Sequence, residues 1–482
     1  KILKKKKFRI GYDPKLFTKK TIKIFFSKTN CKFIPINGNL IDRMWVRKKL
    51  KSNSKFYVLP NNITGQSSNS KIKKMIKILK RKGADFQFIT ASENNAWLLN
   101  IRGKDTDYTP LPKSYLLLNK NNKIYFFCDL KKITSSFRRK FKNIKFEGLN
   151  KISFILSKIK NKKFFIDQNT CSIFFEKLIL KNNKIVENKD PIYFLKSIKT
   201  KKKINNIKRA HVYDGAALTK YLFWIKNNYL KKRITELSGE KKLLKFRKIN
   251  KSFKFLSFPT ISSTSSNGAI IHYKATKKTD KLLKKGHLYL VDSGGQYNFG
   301  TTDVTRTISL DNKNKRIKNI FTRVLKGHIA VTSYNLNKKS TGSLIDEAAR
   351  KYLKEINLNY PHGTGHGVGY FLNVHEGPQS ISKSNKIILK EGMILSNEPG
   401  YYEKDKFGIR IENLIYIKKK KNKFSFNNLT MSPIDKSLID YSLLTFKETK
   451  WLNDYHKIVF KNLSKFMNKN EFLELKNACS SV

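Results

Sequence analysis

Five side chains in the C-terminal half of the sequence are of the types that bind divalent metal ions. They are Asp292, Asp303, His366, Glu398 and Glu412. They lie too far apart in the sequence to form a local motif, so the case for each as a ligand depends on the residues around it. Four carboxylates and one imidazole form an oxygen-rich donor set, which suits Mn²⁺ best and also allows Co²⁺ or Zn²⁺. Four carboxylates carry too much charge for one ion, so the set predicts two ions that share bridging carboxylates.

Each of the two aspartates has a second interpretation. Asp292 follows the apolar run 288–291 and precedes the turn-forming segment 293–295, so it is either a turn former or a ligand at the end of a strand. Asp303 begins an alternating segment whose polar side chains share one face of a strand. That face is either solvent-exposed or part of a site.

The two glutamates favour a site. Glu398 follows the apolar stretch 393–395, and a carboxylate at the end of a buried element needs a partner. Arg410 and Glu412 lie two residues apart in a strand-like segment, so the guanidinium can orient the carboxylate. The alternative for this pair is a surface ion pair.

Three of the eight histidines, His362, His366 and His375, lie within residues 362–375. Glycines alternate through 363–369, which predicts an irregular or strand-like segment whose backbone closely approaches another part of the chain. The spacing matches neither the dinucleotide-binding nor the P-loop pattern, which argues against a phosphate loop. This concentration favours a functional site over histidines buried in a core.

The elements that must position these residues lie after about residue 196. Helical periodicity predicts helices at 204–225, 317–324 and 344–356, with strand-like segments between them and a strand and polar helical end after 424. Upstream, helices and strands alternate as in an α/β domain. The first 55 residues contain too few predicted elements for a complete domain. We expect them to be the C-terminal end of a domain whose beginning is absent.

The composition limits the function classes. At 482 residues the chain predicts two or three domains. The net charge of +68 suggests a nucleic-acid partner, but 87 of the 102 basic residues are Lys, scattered along the chain, and 15 are Arg. A phosphate-reading surface favours Arg, so no nucleic-acid function is predicted.

The cysteines and the hydropathy pattern bear on location. The four cysteines are far apart and form no CxxC pair, so neither a disulfide framework nor a thiolate metal site is indicated, which fits a reducing cytoplasm. No run of about 18 apolar residues occurs, so no membrane-spanning helix is expected.

Several segments together resemble a known family. They are 258–264, 267–273, 301–307, 362–378 and 397–413. They resemble the three-domain, cytosolic type of aminopeptidase P, the Xaa-Pro aminopeptidase branch of the pita-bread dinuclear metallopeptidases. The resemblance is dense from about residue 200 to the C-terminus and covers only the end of the first domain.

The resemblance implies a fold and a domain order. The expected class is α/β (α+β), with a pita-bread catalytic domain and C-terminal extension at 196–482. A creatinase-like α/β domain is expected at 56–195, and residues 1–55 are expected to be the C-terminal part of a first creatinase-like domain.

The resemblance also implies a reaction. The five residues of the cluster become the ligands of two metal ions, and a metal-bridging hydroxide attacks the N-terminal Xaa-Pro peptide bond. His272, His362 and His375 would position substrate and move protons, Arg410 would support the site, and Glu398 would also take a proton from the nucleophile. Expected partners are peptides with proline at the second position and a second copy of the chain in a cytoplasmic homodimer.

Four alternatives remain. A prolidase shares the five ligands, but the C-terminal extension and the spacing at 371–375 favour the aminopeptidase. Methionine aminopeptidases share the ligands but lack the long N-terminal domains. Creatinase-like members use the fold without metal, and the intact ligand set argues against them. Pita-bread modules of chromatin factors bind proteins and have lost the ligands, all of which are present here.

Overall fold

The computed structural model describes residues 7–45 and 53–482, and the chain divides into two compact units between Leu195 and Lys196. Unit 1 precedes this division and unit 2 follows it. Both units mix helices with sheets, which confirms the predicted α/β class. Residues 1–6 and 46–52, which belong to the predicted first domain, lie outside the described residues. None of the described helices is long and apolar enough to cross a membrane.

Unit 1 contains ten strands and nine α-helices among its described residues. The strands are β1 (Arg9–Tyr12), β2 (Lys32–Pro35), β3 (Tyr57–Val58), β4 (Phe86–Ile89), β5 (Ile101–Arg102), β6 (Tyr115–Asn119), β7 (Ile124–Cys128), β8 (Ile144–Gly148), β9 (Lys163–Ile166) and β10 (Lys184–Glu187). The helices are α1 (Lys19–Phe26), α2 (Leu40–Met44), α3 (Asn61–Thr64), α4 (Ser68–Arg81), α5 (Ser92–Leu99), α6 (Ser135–Arg139), α7 (Ile152–Ser157), α8 (Ile173–Leu180) and α9 (Pro191–Ser197), which runs across the division.

A six-stranded mixed sheet forms the centre of unit 1, in the order β10-β9-β4-β6-β7-β8. Pairing is parallel between β10 and β9, β9 and β4, and β7 and β8, and antiparallel elsewhere. Helix α4 buries Ile72, Met75 and Leu79 because these residues recur at helical spacing and share one face.

Unit 2 contains six further α-helices and thirteen strands among its described residues. The helices are α10 (Lys201–Asn228), α11 (Glu236–Lys248), α12 (Lys315–Thr332), α13 (Gly342–Lys354), α14 (Phe446–Leu463) and α15 (Lys469–Cys479). The strands are β11 (Phe253–Leu256), β12 (Ile261–Thr264), β13 (Leu288–Ser293), β14 (Gly295–Tyr297), β15 (Gly300–Thr301), β16 (Val304–Ser309), β17 (Gly365–His366), β18 (Ser380–Ile381), β19 (Ile394–Asn397), β20 (Gly400–Glu403), β21 (Phe407–Arg410), β22 (Asn413–Lys420) and β23 (Lys423–Asn428).

Short antiparallel sheets in unit 2 carry most of the predicted site. The three-stranded sheets are β12-β13-β16, β11-β14-β15 and β19-β22-β23, and β20 pairs with β21. One core cluster joins Ile320, Phe321 and Val324 of α12 to Ile409 of β21. This packing fixes β21, which ends at Arg410, against a long helix.

The three helices predicted in this region are confirmed as α10, α12 and α13. Ile356, which was predicted in the third helix, lies beyond its end at Lys354. Helix α11 was not predicted.

Candidate active site

The nine residues predicted for the site all line one cavity of about 450 Å³ in unit 2. They are Asp292, Asp303, His366, Glu398, Glu412, Arg410, His272, His362 and His375. The apolar part of the lining comprises Phe258, Pro259, Ile261, Ile271 and Val374. A cavity with an apolar wall and a few converging polar groups is the usual form of a ligand-binding site.

The sheet β12-β13-β16 brings the two aspartates to the cavity. Asp292 lies within β13 opposite Thr305 of β16, and Asp303 immediately precedes β16. Both strands are buried along their length. The interpretations of Asp292 as a turn former and of β16 as a solvent-exposed face are therefore wrong. The Thr305 carbonyl also accepts a hydrogen bond from the backbone N–H of Glu412 at 3.1 Å.

The glycine-rich segment approaches other backbone as closely as predicted. A Cβ on Gly365 would lie 1.9 Å from the carbonyl oxygen of Ser396, and one on Gly367 would lie 2.0 Å from that of Glu376. Only glycine permits such contacts. They hold His366 of β17 beside the end of β19, from which Glu398 follows.

Asp303, His366 and Glu412 each place a possible ligand atom within 4.8 Å of the other two. The Nδ1 of His366 lies 2.9 Å from the carbonyl oxygen of Gly367, which can only accept, so Nδ1 carries the proton. Nε2 faces Asp303 Oδ2 at 3.4 Å and Glu398 Oε1 at 3.5 Å. With Nδ1 bonded to the backbone, Nε2 is the ring nitrogen that can coordinate a metal.

The carboxylates of Asp292, Asp303 and Glu412 are buried beside one another, and this raises their pKa values. Burial is the larger cause at Asp303 and Glu412, and repulsion from Asp292 and Asp303 respectively adds to it. Among the described residues, Oδ1 of Asp292 and Oε1 of Glu412 are buried with no hydrogen-bond partner. A divalent cation would relieve the repulsion and coordinate these oxygens, so the donor set fits metal binding.

Arg410 supports a different carboxylate from the one predicted. Its guanidinium donates to Asp292 Oδ2 at 2.7 Å, whereas Glu412 accepts a hydrogen bond from Thr305 Oγ1 at 2.8 Å. Strand β21 ends at Arg410 and β22 begins at Asn413, so Glu412 lies between strands. Arg410 and Glu412 are both buried, so the surface ion pair is also wrong.

His362 belongs to a hydrogen-bonded chain that passes through Tyr402, a residue not predicted for the site. Arg410 Nη1 donates to the Tyr402 hydroxyl at 2.7 Å, so the hydroxyl proton points to His362 Nε2 at 2.9 Å. His362 Nδ1 donates to the Gly363 carbonyl at 2.8 Å. Burial lowers the pKa of His362 and raises the pKa of Tyr402 to about 12, which leaves both neutral near pH 7. The only sequence signal for Tyr402 is its place in segment 397–413.

His375 and His272 complete the set of histidines at the cavity. The ring of His375 lies 4.0 Å from that of His366, measured between centroids, and burial lowers the pKa of His375 to about 4. His272 is exposed where it lines the cavity. His375 is therefore neutral near pH 7 beside the cluster, and His272 lies at its solvent side.

Family models match three parts of the chain. Residues 205–419 match metallopeptidase family M24, residues 47–203 the creatinase/prolidase N-terminal domain, and residues 422–482 the C-terminal region of peptidase M24. A Laccaria bicolor protein named "probable Xaa-Pro aminopeptidase P" is 39% identical over 446 residues, which cover 88% of this chain and 69% of that protein. The chain belongs to the Xaa-Pro aminopeptidase P family.

Two solved structures place this member of the family among its structural relatives. The X-prolyl aminopeptidase of Caenorhabditis elegans, described as a cytosolic enzyme with a dinuclear active site, matches with a TM-score of 0.91 and 31% identity over 98% of this chain and 81% of that one. The Xaa-Pro dipeptidase of Bacillus anthracis matches with a TM-score of 0.63 and 21% identity over 77% of this chain and 99% of that one. The second likeness shows a shared fold alone.

Proposed function

We propose that this chain is a metal-dependent aminopeptidase that releases the first residue from peptides whose second residue is proline. One cavity combines the carboxylate–histidine cluster with an apolar wall, and this observation carries the proposal. Phe258, Ile271 and Val374 form a surface suited to the apolar proline ring. The names of the Laccaria bicolor and Caenorhabditis elegans proteins support the substrate class.

We propose that Asp292, Asp303, His366, Glu398 and Glu412 hold two divalent ions. Mn²⁺ suits this donor set best, with Co²⁺ or Zn²⁺ as alternatives. When bound, such ions polarise a carbonyl and lower the pKa of water. The dinuclear site described for the Caenorhabditis elegans enzyme supports the number of ions.

The remaining groups are proposed to bind the peptide and move protons. Glu398, which accepts a hydrogen bond from Ser396 Oγ at 3.0 Å, would take a proton from the attacking water. His375, neutral near pH 7, can hydrogen-bond the scissile carbonyl or pass a proton to the leaving proline nitrogen. His272 would contact the peptide at the solvent side. His362 can bind substrate only if its Nε2 leaves the Tyr402 hydroxyl, and otherwise holds that hydroxyl in place.

The assignment of the wider molecule follows the family. We propose that residues 1–55 belong to a first creatinase-like domain, 56–195 to a second and 196–482 to the catalytic domain. We also propose a cytoplasmic location, which agrees with the cytosolic Caenorhabditis elegans enzyme, and a homodimer formed through the catalytic domain.

A substrate pair separates this function from that of a prolidase. Xaa-Pro-Xaa tripeptides and Xaa-Pro dipeptides should be tested after chelation and again after addition of Mn²⁺, Co²⁺ or Zn²⁺. We expect metal-dependent release of the first residue from the tripeptides. Preferential hydrolysis of the dipeptides would identify a prolidase. No hydrolysis of either by protein that binds no metal would identify a binding module.

A further inference from the structure

A salt bridge on α13 lies outside the cavity but reaches the segment that carries His362. Arg350 and Asp346 are one helical turn apart, with Nε 2.9 Å from Oδ2 and Nη2 3.1 Å from Oδ1. Asp346 is buried and Arg350 is half-buried. Neither residue lines the cavity of the candidate active site.

The other donors of Arg350 bind the segment that leads to His362, where Nη1 also donates to Asn359 Oδ1 at 2.7 Å. Nη2 donates to the carbonyl oxygen of His362 itself at 2.5 Å, and Nη1 donates to that of Tyr360 at 2.7 Å. The guanidinium also stacks over the Tyr360 ring, with its carbon 4.0 Å from the ring centroid. A planar guanidinium can hold two carbonyls and a carboxylate in one fixed geometry, which a lysine ammonium cannot do.

Asp346 holds the other end of the same segment. Its Oδ1 accepts hydrogen bonds from Thr364 Oγ1 at 2.6 Å and from Thr364 N at 3.3 Å. The Tyr360 hydroxyl donates to that Oγ1 at 2.5 Å, since the threonine proton is used on Asp346. The Thr364 carbonyl in turn accepts from the backbone N–H of Glu398 at 2.8 Å. The salt bridge therefore holds residues 360–364 by hydrogen bonds at both ends. Arg350 binds the carbonyls of Tyr360 and His362, and Asp346 binds Thr364.

We propose that Asp346 and Arg350 are positioning residues for the reaction, and that they act through His362. Fixing the His362 carbonyl fixes the Cα from which the imidazole projects toward Tyr402. Small errors of placement in an active site cost rate because the reacting groups must stay aligned. This inference rests on the proposed function, since its effect is read in peptide hydrolysis.

Three variants test the pair. Arg350→Lys keeps the charge and loses the planar fork, Arg350→Met loses both, and Asp346→Asn keeps the acceptor for Thr364 and loses the charge. We expect kcat to fall about tenfold in Arg350→Lys and about 100-fold in Arg350→Met, with KM within about twofold of wild type and metal content unchanged. Asp346→Asn should resemble Arg350→Lys. Arg350→Lys carries the test whether or not Arg350→Met folds.

A matched control is the Lys326–Glu448 pair of the same unit. Lys326 Nζ lies 2.7 Å from Glu448 Oε2, their side chains are 11% and 10% exposed, and neither lines the cavity. Lys326→Met should lower the melting temperature about as much as Arg350→Met and leave kcat unchanged. An equal fall of kcat in the two variants would show that Arg350 contributes only to stability, and would overturn the proposal.

The decisive measurement is a double-mutant cycle with His362→Ala. If Arg350 acts through His362, Arg350→Lys should change kcat by less than about twofold once the imidazole is gone. A tenfold loss in both backgrounds would overturn the proposal. Inactivity of the wild-type protein toward Xaa-Pro-Xaa peptides would instead refute the proposed function, so the two failures are distinguishable.

Discussion

At the scale of single residues, the cluster concentrates negative charge where water cannot screen it. The carboxyl groups of Asp292, Asp303 and Glu412 are buried together, and each has a raised pKa for that reason. Burial without a cation disfavours their ionised forms. A metal that binds them in the folded state stabilises that state by mass action, so metal content and stability should change together.

The first prediction concerns the carboxylates. Asp303→Asn and Glu412→Gln should each weaken metal binding by more than about 100-fold and remove nearly all peptidase activity, because an amide cannot supply the lost charge. Metal per chain after dialysis and kcat measure the two effects. Asp405→Asn, in an exposed turn, should keep both at wild-type values. Normal metal content and turnover in either cluster variant would refute the assignment.

The second prediction separates two histidines that lie four residues apart. His366→Ala should lose metal, because His366 Nε2 faces Asp303 and Glu398. His362→Ala should keep its metal while kcat falls about 10²–10⁴-fold, because its Nε2 is bonded to Tyr402 and not to the cluster. Metal analysis beside single-turnover kinetics makes the comparison. Equal loss of metal in both variants, or full activity of His362→Ala, would contradict this division of roles.

At the scale of elements, local periodicity was enough for the long helices. Helices α10, α12 and α13 were predicted because their apolar residues recur at helical spacing. Helix α11 was missed because its buried face consists of Glu236, Gly239, Leu243 and Arg247, of which only Leu243 is a large apolar residue, although Thr235 and Ser238 form a capping box at its start. The sequence signal for this helix is the capping box and not the spacing of apolar residues.

The error at Glu412 has a different physical origin. The alternation of apolar residues continues through 409–415, but the chain changes pairing partner there, from β20 to β19. A change of partner depends on contacts distant in sequence, so no local pattern reveals it. For the same reason the sequence pattern predicted Glu412 as the partner of Arg410. In the structure the partner of Arg410 is Asp292, which lies on β13.

The third prediction concerns unit 1, where Asp190 is buried and accepts hydrogen bonds from Gln87 at 3.0 Å and Asn94 at 2.8 Å. Burial raises the pKa of Asp190 from its ordinary value of 3.8 to about 6. The folded unit therefore holds the proton more tightly than the unfolded chain. Its contribution to stability is fully present below about pH 4 and is lost as the pH rises through about 6, a change of ~3 kcal/mol.

Asp190→Asn removes this titration and keeps the acceptor for the backbone N–H of Ile192. Hydrogen exchange of peptides from unit 1 in both proteins, from pH 4 to 7, measures the difference. Protection in the wild type should decline relative to Asp190→Asn as the pH rises. A constant difference across this range would show that the carboxyl does not titrate there.

At the scale of the whole molecule, the net charge of +68 is the most unusual property. Like charges on two copies repel each other, and salt screens this repulsion with a Debye length of about 30 Å at 0.01 M and about 8 Å at 0.15 M. The charge therefore acts against the proposed homodimer most strongly at low ionic strength. An excess of scattered lysines affects association more than it affects the buried site.

The last prediction follows from this repulsion. The dimeric fraction at micromolar protein should rise between about 0.01 M and 0.15 M salt, because screening lowers the repulsion between two chains of the same sign. Sedimentation velocity at several salt concentrations measures the dimeric fraction. The rate of peptide hydrolysis is recorded in the same buffers. Since one chain supplies all nine residues predicted for the site, activity per chain should change far less than the dimeric fraction. A monomer at every salt concentration would refute the dimer, and a dimeric fraction that falls with salt would show that attractive ion pairs dominate the interface.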